Sequence, residues 1–151
     1  MNNMLRRTKK HSCSCIQVPP QKITATTAFS FGSIFEKPSN VLTPNNHETW
    51  NARCFPPATI TLEFTGNTNL RLVTRIELLP DMLPERGDVE HRITLWDGSV
   101  SKTSVYAGNG ENLKWISIDI SHPTPAHKID ILTTKSPSFV AWRQIRIFAI
   151  E

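Results

Sequence analysis

The sequence predicts an all-β protein: an eight-stranded antiparallel jelly-roll β-sandwich with an extended N-terminal arm. Three observations lead there. Apolar residues recur at every second position in a series of short segments, the period of strands with one face in a core and the other in water. Eleven prolines stand against six glycines, and no apolar pattern of helical period and length runs between them. The last 23 residues hold two strongly patterned runs around a Ser-Pro-Ser turn, setting Ile129, Ile131 and Thr133 in one row and Ile145, Ile147 and Ala149 in another. This pair is expected to form the closing hairpin of the sandwich, with the inward row of the last run in the core.

At 151 residues the chain makes one domain, long enough for a two-layer core that buries about two-thirds of the unfolded chain's surface. Residues 1–24 are polar and basic and contain Pro19-Pro20, a composition that cannot bury enough apolar surface to fold alone, so they are expected to form an arm outside a domain spanning 25–151. The strands are then expected in order. Residues 24–31 (TATTAFSF) are β-prone, and 32–53 form a long loop, a length that in compact domains is often functional. Residues 59–64 place Ile60, Leu62 and Phe64 inward, and 70–79 place Ile76 and Leu78 inward with Arg75 and Glu77 outward. Residues 80–88 are a loop with two prolines. Residues 91–96 and 101–106 flank Asp97-Gly98-Ser99, where Asp-Gly supplies the positive φ of a tight hairpin turn. Gly108-Asn109-Gly110 is expected to break the chain, and 113–120 alternate Ile116, Ile118 and Ile120 with polar residues. With the terminal pair the count is eight, which suits a jelly roll better than an immunoglobulin-like sandwich of seven or nine.

The net charge of +4 is unevenly placed: Arg6, Arg7, Lys9, Lys10 and Lys22 lie in the first 22 residues without an acid, and the remainder is near neutral. A basic tail on a neutral body reads as a solvated or protein-docking arm, and a nucleic-acid reader would carry its positive charge on the fold itself. Nucleic acid is therefore not an expected partner; a protein docked through residues 1–24 is. Cys13, Cys15 and Cys54 do not make a disulfide framework, and Cys-Ser-Cys beside His11 lacks a nearby fourth zinc ligand. No metal or other cofactor is expected. The charged start has no apolar run behind it and no stretch approaches membrane length. The expectation is synthesis in a cytoplasm without membrane insertion, with incorporation into a particle or a cell-surface assembly left open.

The order of motifs adds to this reading: SNVLTPNNHETW, then TITLEF, VTRIELLP, HRITLWDG, WISIDI and finally VAWRQIRIF. In that order residues 25–151 resemble the galactose-binding-like superfamily, the discoidin and coagulation-factor C-type domains and their relatives among carbohydrate-binding modules. The resemblance implies the sandwich fold and a glycan held by loops at one end. Many relatives bind a structural calcium with an acid in the loop that here reads Leu42-Thr43-Pro44-Asn45-Asn46 and a glutamate where this chain has Gln144. Asparagines and a glutamine are a poor set for an ion that prefers charged oxygens.

Candidate ligand-binding residues fall in three groups. His47, Glu48 and Arg53 share the long loop and can bond to hydroxyls, although solvated loop residues would look the same. Arg86 and His91 flank the 80–88 loop, where a histidine at a strand start can equally serve the backbone. Phe139, Trp142 and Arg143 lie at the entry to the last run, and Trp142 has the best claim to exposure among the tryptophans. Exposed aromatics matter because a sugar's C–H face stacks on them. Trp50 reads as a core plug beneath the long loop, and Trp96 and Trp115 as packing residues. Asp81, Glu85, Asp88 and Glu90 bunch on one loop instead of facing across a cleft, and no nucleophile or phosphate motif occurs, so no catalytic residue is expected. The function expected is a non-catalytic carbohydrate-binding module. The alternative is a structural or adaptor subunit of a larger assembly, such as a phage tail or injection machine.

Overall fold

The computed structural model describes residues 15–20, 22–26, 37–42, 48–64 and 70–150. They form ten strands and one 3-10 helix (Pro38–Leu42): β1 (Cys15–Gln17), β2 (Lys22–Thr26), β3 (Trp50–Asn51), β4 (Ala58–Glu63), β5 (Arg71–Pro80), β6 (Arg86–Asp97), β7 (Val100–Glu111), β8 (Ile116–Ala126), β9 (Lys128–Lys135) and β10 (Ala141–Ile150). Two antiparallel sheets pack face to face. One runs β1-β10-β5-β8 with β3 also on β10, and the other runs β2-β4-β9-β6-β7. The eight expected strands are all there, and β1 and β3 are short additions. The first expected strand is seen as β2; residues 27–31 lie outside the described residues.

Alternation in the sequence becomes the core directly. Ile60 and Leu62 of β4, Ile93 and Leu95 of β6 and Ile129 and Ile131 of β9 come from one sheet, and Ile76 and Leu78 of β5 with Ile145 and Ile147 of β10 face them from the other. All are buried, so both sheets turn one apolar face inward, the arrangement that removes most apolar area from water. Trp50 is buried too, as a plug behind β10. Trp115 is 38% exposed, and Arg146 stacks over it at 4.1 Å, so it packs on the outer face of the sheet and not in the core.

Four expectations need correction. The last two strands are not a hairpin: β9 lies between β4 and β6 in one sheet and β10 between β1 and β5 in the other, so residues 136–140 cross between layers. The period of two reveals a strand but not its neighbour, which is chosen by long-range pairing. The arm does not extend to residue 24, because Cys15–Gln17 pairs with Phe148–Ile150, Val18 N–H donates to Ile147 O at 2.8 Å, and Val18 and Pro20 are buried. β10 would otherwise present a bare edge. Gly108 and Gly110 do not break the chain; β7 runs through both, and a Cβ on Gly110 would lie 2.9 Å from Val89 Cγ1. They are glycine where the strand passes close to side chains. Finally, β8 continues through Pro123 and Pro125, which it tolerates as an edge strand. The hairpin turn at Gly98, with φ 59°, is as expected.

Candidate functional site

Three loops meet at one end of the sandwich: 52–57 before β4, 81–85 between β5 and β6, and 136–140 between β9 and β10. The register that brings them together is that of β10, where Trp142 stands opposite Pro80 on one side and Trp50 on the other. Backbone bonds then tie the loops to one another. Ala52 N–H donates to Val140 O at 2.8 Å, Val140 N–H to Cys54 O at 3.0 Å, and Asp81 N–H to Ala141 O at 3.1 Å.

Side chains finish the work locally. Asn51 Oδ1 accepts from Arg53 N–H at 2.8 Å, the side-chain turn that asparagine favours, and it holds Arg53 at φ 52°. Ser136 Oγ accepts from Ser138 N–H at 3.1 Å, and Ser138 Oγ accepts from Leu83 N–H at 3.1 Å, so the 136–140 loop carries the 81–85 loop. Asn112, from the β7–β8 connection, accepts from Met82 N–H at 2.8 Å. A loop cluster bonded at so many points is built in advance of any ligand.

Between the loops lies an open cleft of about 420 Å³ lined by Asn51, Phe55, Asp81, Leu83, Ser138, Phe139 and Ala141. Phe55 and Phe139 meet edge to face with ring centroids 4.8 Å apart, 60% and 42% exposed, and Leu83 is 83% exposed. Three large apolar side chains in water at the mouth of one cleft cost free energy unless a ligand covers them. Around them stand Asn51, the Asp81 carboxylate and the Ser138 hydroxyl. Asp81 is held by Arg143, whose Nε lies 3.2 Å from Oδ2. The cleft can therefore offer an apolar ledge and polar atoms at its rim, and its carboxylate is oriented rather than free-swinging.

Of the residues expected from sequence, Phe139 lines this cleft and Arg143 reaches it through Asp81. Arg53 is exposed in the 52–57 loop and Glu48 is half-buried beside Thr49; neither lines the cleft. His47 lies outside the described residues. Arg86 opens β6 at a second, polar cleft of about 230 Å³ with Glu85, Glu111, Asn112 and Lys114. There the Lys114 ammonium, hydrogen-bonded to Glu111, lowers that carboxyl's pKa.

Trp142 and His91 are corrected outright: they are 2% and 3% exposed. Counting by twos from Ile145, Trp142 falls in the outward row, but a register irregularity between Trp142 and Gln144 shifts the phase and turns the indole inward. His91 is an inward residue of β6, like Val89 and Ile93. Its Nδ1 lies 2.9 Å from Thr133 Oγ1, and its ring meets that of Trp142 at 4.9 Å. Burial pushes its pKa down to about 4, so the ring is neutral near pH 7. Neither side chain can stack on a ligand at the surface.

Phe55, Leu83, Asn51 and Ser138 were not singled out from sequence, and Asp81 was considered only among the acids of the 80–88 loop and set aside. Phe55 before Pro56-Pro57 and Leu83 before Pro84 carry the one usable signal, a large apolar residue inside a turn segment where burial is difficult. As for a metal, no three His, Cys, Asp or Glu side chains cluster among the described residues. Gln144 is buried on β10, and Asn45 and Asn46 lie outside the described residues. Cys15 and Cys54 are free thiols.

No protein-family model and no curated protein matches the sequence. Solved structures do. The chain is similar to a family 32 carbohydrate-binding module of NanJ from C. perfringens, solved with galactose, at 15% identity and a TM-score of 0.72 over 89% of this chain and 99% of that one. CpGH89CBM32-5 from Clostridium perfringens, solved with GalNAc-β-1,3-galactose, aligns at 17% identity and 0.68 over 85% and 94%. The family 32 module of AlyQ, solved with 4,5-unsaturated mannuronic acid, aligns at 18% identity and 0.68 over 88% and 98%. The matches run over nearly the full length of all three modules, and the chain, with its two antiparallel sheets, thus has the galactose-binding-like β-sandwich fold that family 32 carbohydrate-binding modules share.

Proposed function

We propose that the protein is a non-catalytic carbohydrate-binding module that takes a glycan in the cleft between the 52–57, 81–85 and 136–140 loops. The observation that carries this reading is the exposed Phe55–Phe139 pair on a cleft whose rim supplies Asn51, Asp81 and Ser138. A pyranose has an apolar C–H face and a hydroxylated edge, and such a cleft offers a partner for each. The neighbours of the same fold, solved with galactose, GalNAc-β-1,3-galactose and a mannuronic acid derivative, support sugar as the ligand class. Asp81 is an acceptor for hydroxyl hydrogens. Among the described residues that line the cleft Asp81 is the carboxylate, whereas glycoside hydrolysis uses two across the scissile bond.

An open cleft of this size covers one or two sugar rings, so a single site is expected to bind at ~0.1 to 1 mM, roughly 4 to 5.5 kcal/mol. The test is titration of a panel of neutral and acidic mono- and disaccharides, followed by amide chemical-shift changes. Shifts confined to the three loops support the assignment. A panel without a binder at 10-millimolar sugar, or shifts centred elsewhere, overturns it.

A further inference from the structure

Behind the ledge formed by Phe139 is another, much smaller cavity that also touches Thr133, Met82 and Val89, with His91 and Trp142 among its walls. Its volume is about 10 Å³, near the smallest space that accepts a water molecule. Two of the residues that line it, His91 and Trp142, each carry a buried ring nitrogen, Nε2 and Nε1, that has no hydrogen-bond partner in the protein. We infer that this cavity binds one ordered water, which joins His91 Nε2 to Trp142 Nε1 and closes the floor beneath the aromatic ledge.

Buried polar atoms are satisfied in nine cases of ten or more, by protein or by ordered water, so two orphans on one cavity call for a shared partner. Their chemistry fits a single water whichever tautomer His91 adopts. If Nδ1–H donates to Thr133 Oγ1, then Nε2 is an acceptor, and the water donates to it while accepting from the Trp142 indole. If Thr133 donates instead, Nε2–H and the indole N–H are both donors, and the water accepts from both through its two lone pairs. No apolar guest satisfies either atom. The two rings are in edge-to-face contact, at 65° with centroids 4.9 Å apart, so the two orphaned nitrogens belong to neighbouring side chains. Because this cavity and the open cleft share Phe139 and Ala141 as walls, the water would sit on the inner side of the ledge that a ligand covers from outside. The inference does not depend on what that ligand is.

The test uses the ¹⁵N-labelled full chain without ligand at pH 7. Water-selective NMR should give a cross-peak between the Trp142 indole proton and a water held longer than the protein tumbles, and the His91 ring nitrogens should report a neutral imidazole. Trp142→Phe, which removes the indole N–H, should abolish the cross-peak. A crystal structure of the unmutated chain covers the case in which that variant fails to fold: one density peak within hydrogen-bond distance of both nitrogens is expected. A dry cavity with an unbonded indole N–H overturns the inference.

Discussion

Phe55 and Phe139 meet edge to face at 4.8 Å although they come from two separate loops that each cross between the layers, one leading into β4 and the other into β10. Edge-to-face pairs are worth roughly 0.5 to 1.5 kcal/mol beyond area burial, so each ring holds the other in place. Replacing either by alanine should cost about 1 kcal/mol of stability at most, since both are largely in water, yet reduce glycan affinity about tenfold or more. Thermal melts and titrations on the two single variants measure both quantities. A loss of melting temperature that matches the loss of binding would mark the pair as structural only.

His91 makes stability depend on pH. With its folded-state pKa near 4 and an ordinary value of 6.5, the unfolded chain takes up a proton at this ring between those values and the folded chain does not. Stability from this group is therefore complete above about pH 6.5 and declines as pH falls towards 4, by roughly 3 kcal/mol in all. The groups facing the ring are Thr133, Tyr106 and Trp142, none of them charged, so no neighbour offsets the burial. Denaturant melts at pH 7, 5.5 and 4.5 should show the slope, and His91→Asn should flatten it. An unchanged slope in the variant would assign the dependence to other groups.

Ile147 is 1% exposed and central to the β10 row, paired with Ile76 on β5. Ile147→Ala should cost about 2 to 5 kcal/mol through lost burial and the cavity left behind. Urea unfolding monitored by tryptophan fluorescence reads it directly, and a cost below 1 kcal/mol would mean that the site collapses around the smaller residue.

The N-terminal boundary can be tested by comparing chains that start at residue 15 and at residue 21. The longer keeps β1 and Val18, which is 8% exposed and bonded to Ile147. Losing one buried valine and the cover on β10 should lower stability by about 2 kcal/mol, or ~4 to 8 °C in melting temperature for a domain of this size. Equal melting temperatures would return these residues to the arm.

The strands were legible because each has one wet face: Ile60 and Leu62 against Thr59 and Thr61 is a local pattern with a local cause. Partnerships were not, since nothing in 129–134 records that β9 pairs with β4 and β6 while β10 crosses to the other sheet. Trp142 was misread for the same kind of reason, because the irregularity that turns it inward arises from its pairing with β5. The candidate cleft was legible only in part. Phe139 announced itself as an aromatic in a turn, but Phe55 gains its meaning only from contact with it, and Ser138 only from the Leu83 amide that it accepts from.

The place of β10 between β5 and β1 also governs the order in which the molecule can be made. Among the described strands it is the last to leave the ribosome, yet its sheet has no continuous hydrogen-bond path without it. The sheet containing β2, β4, β9, β6 and β7 can be complete once residue 135 has emerged, leaving its apolar face waiting for the opposite layer. During that interval β5 is paired to β8 alone and offers an open edge to any neighbouring nascent chain, a consequence of pairing strands so distant in sequence. Chaperone contact with the growing chain is therefore expected to concentrate on β5 and to end when β10 docks, the same step that pulls the 136–140 loop into place and completes the cleft.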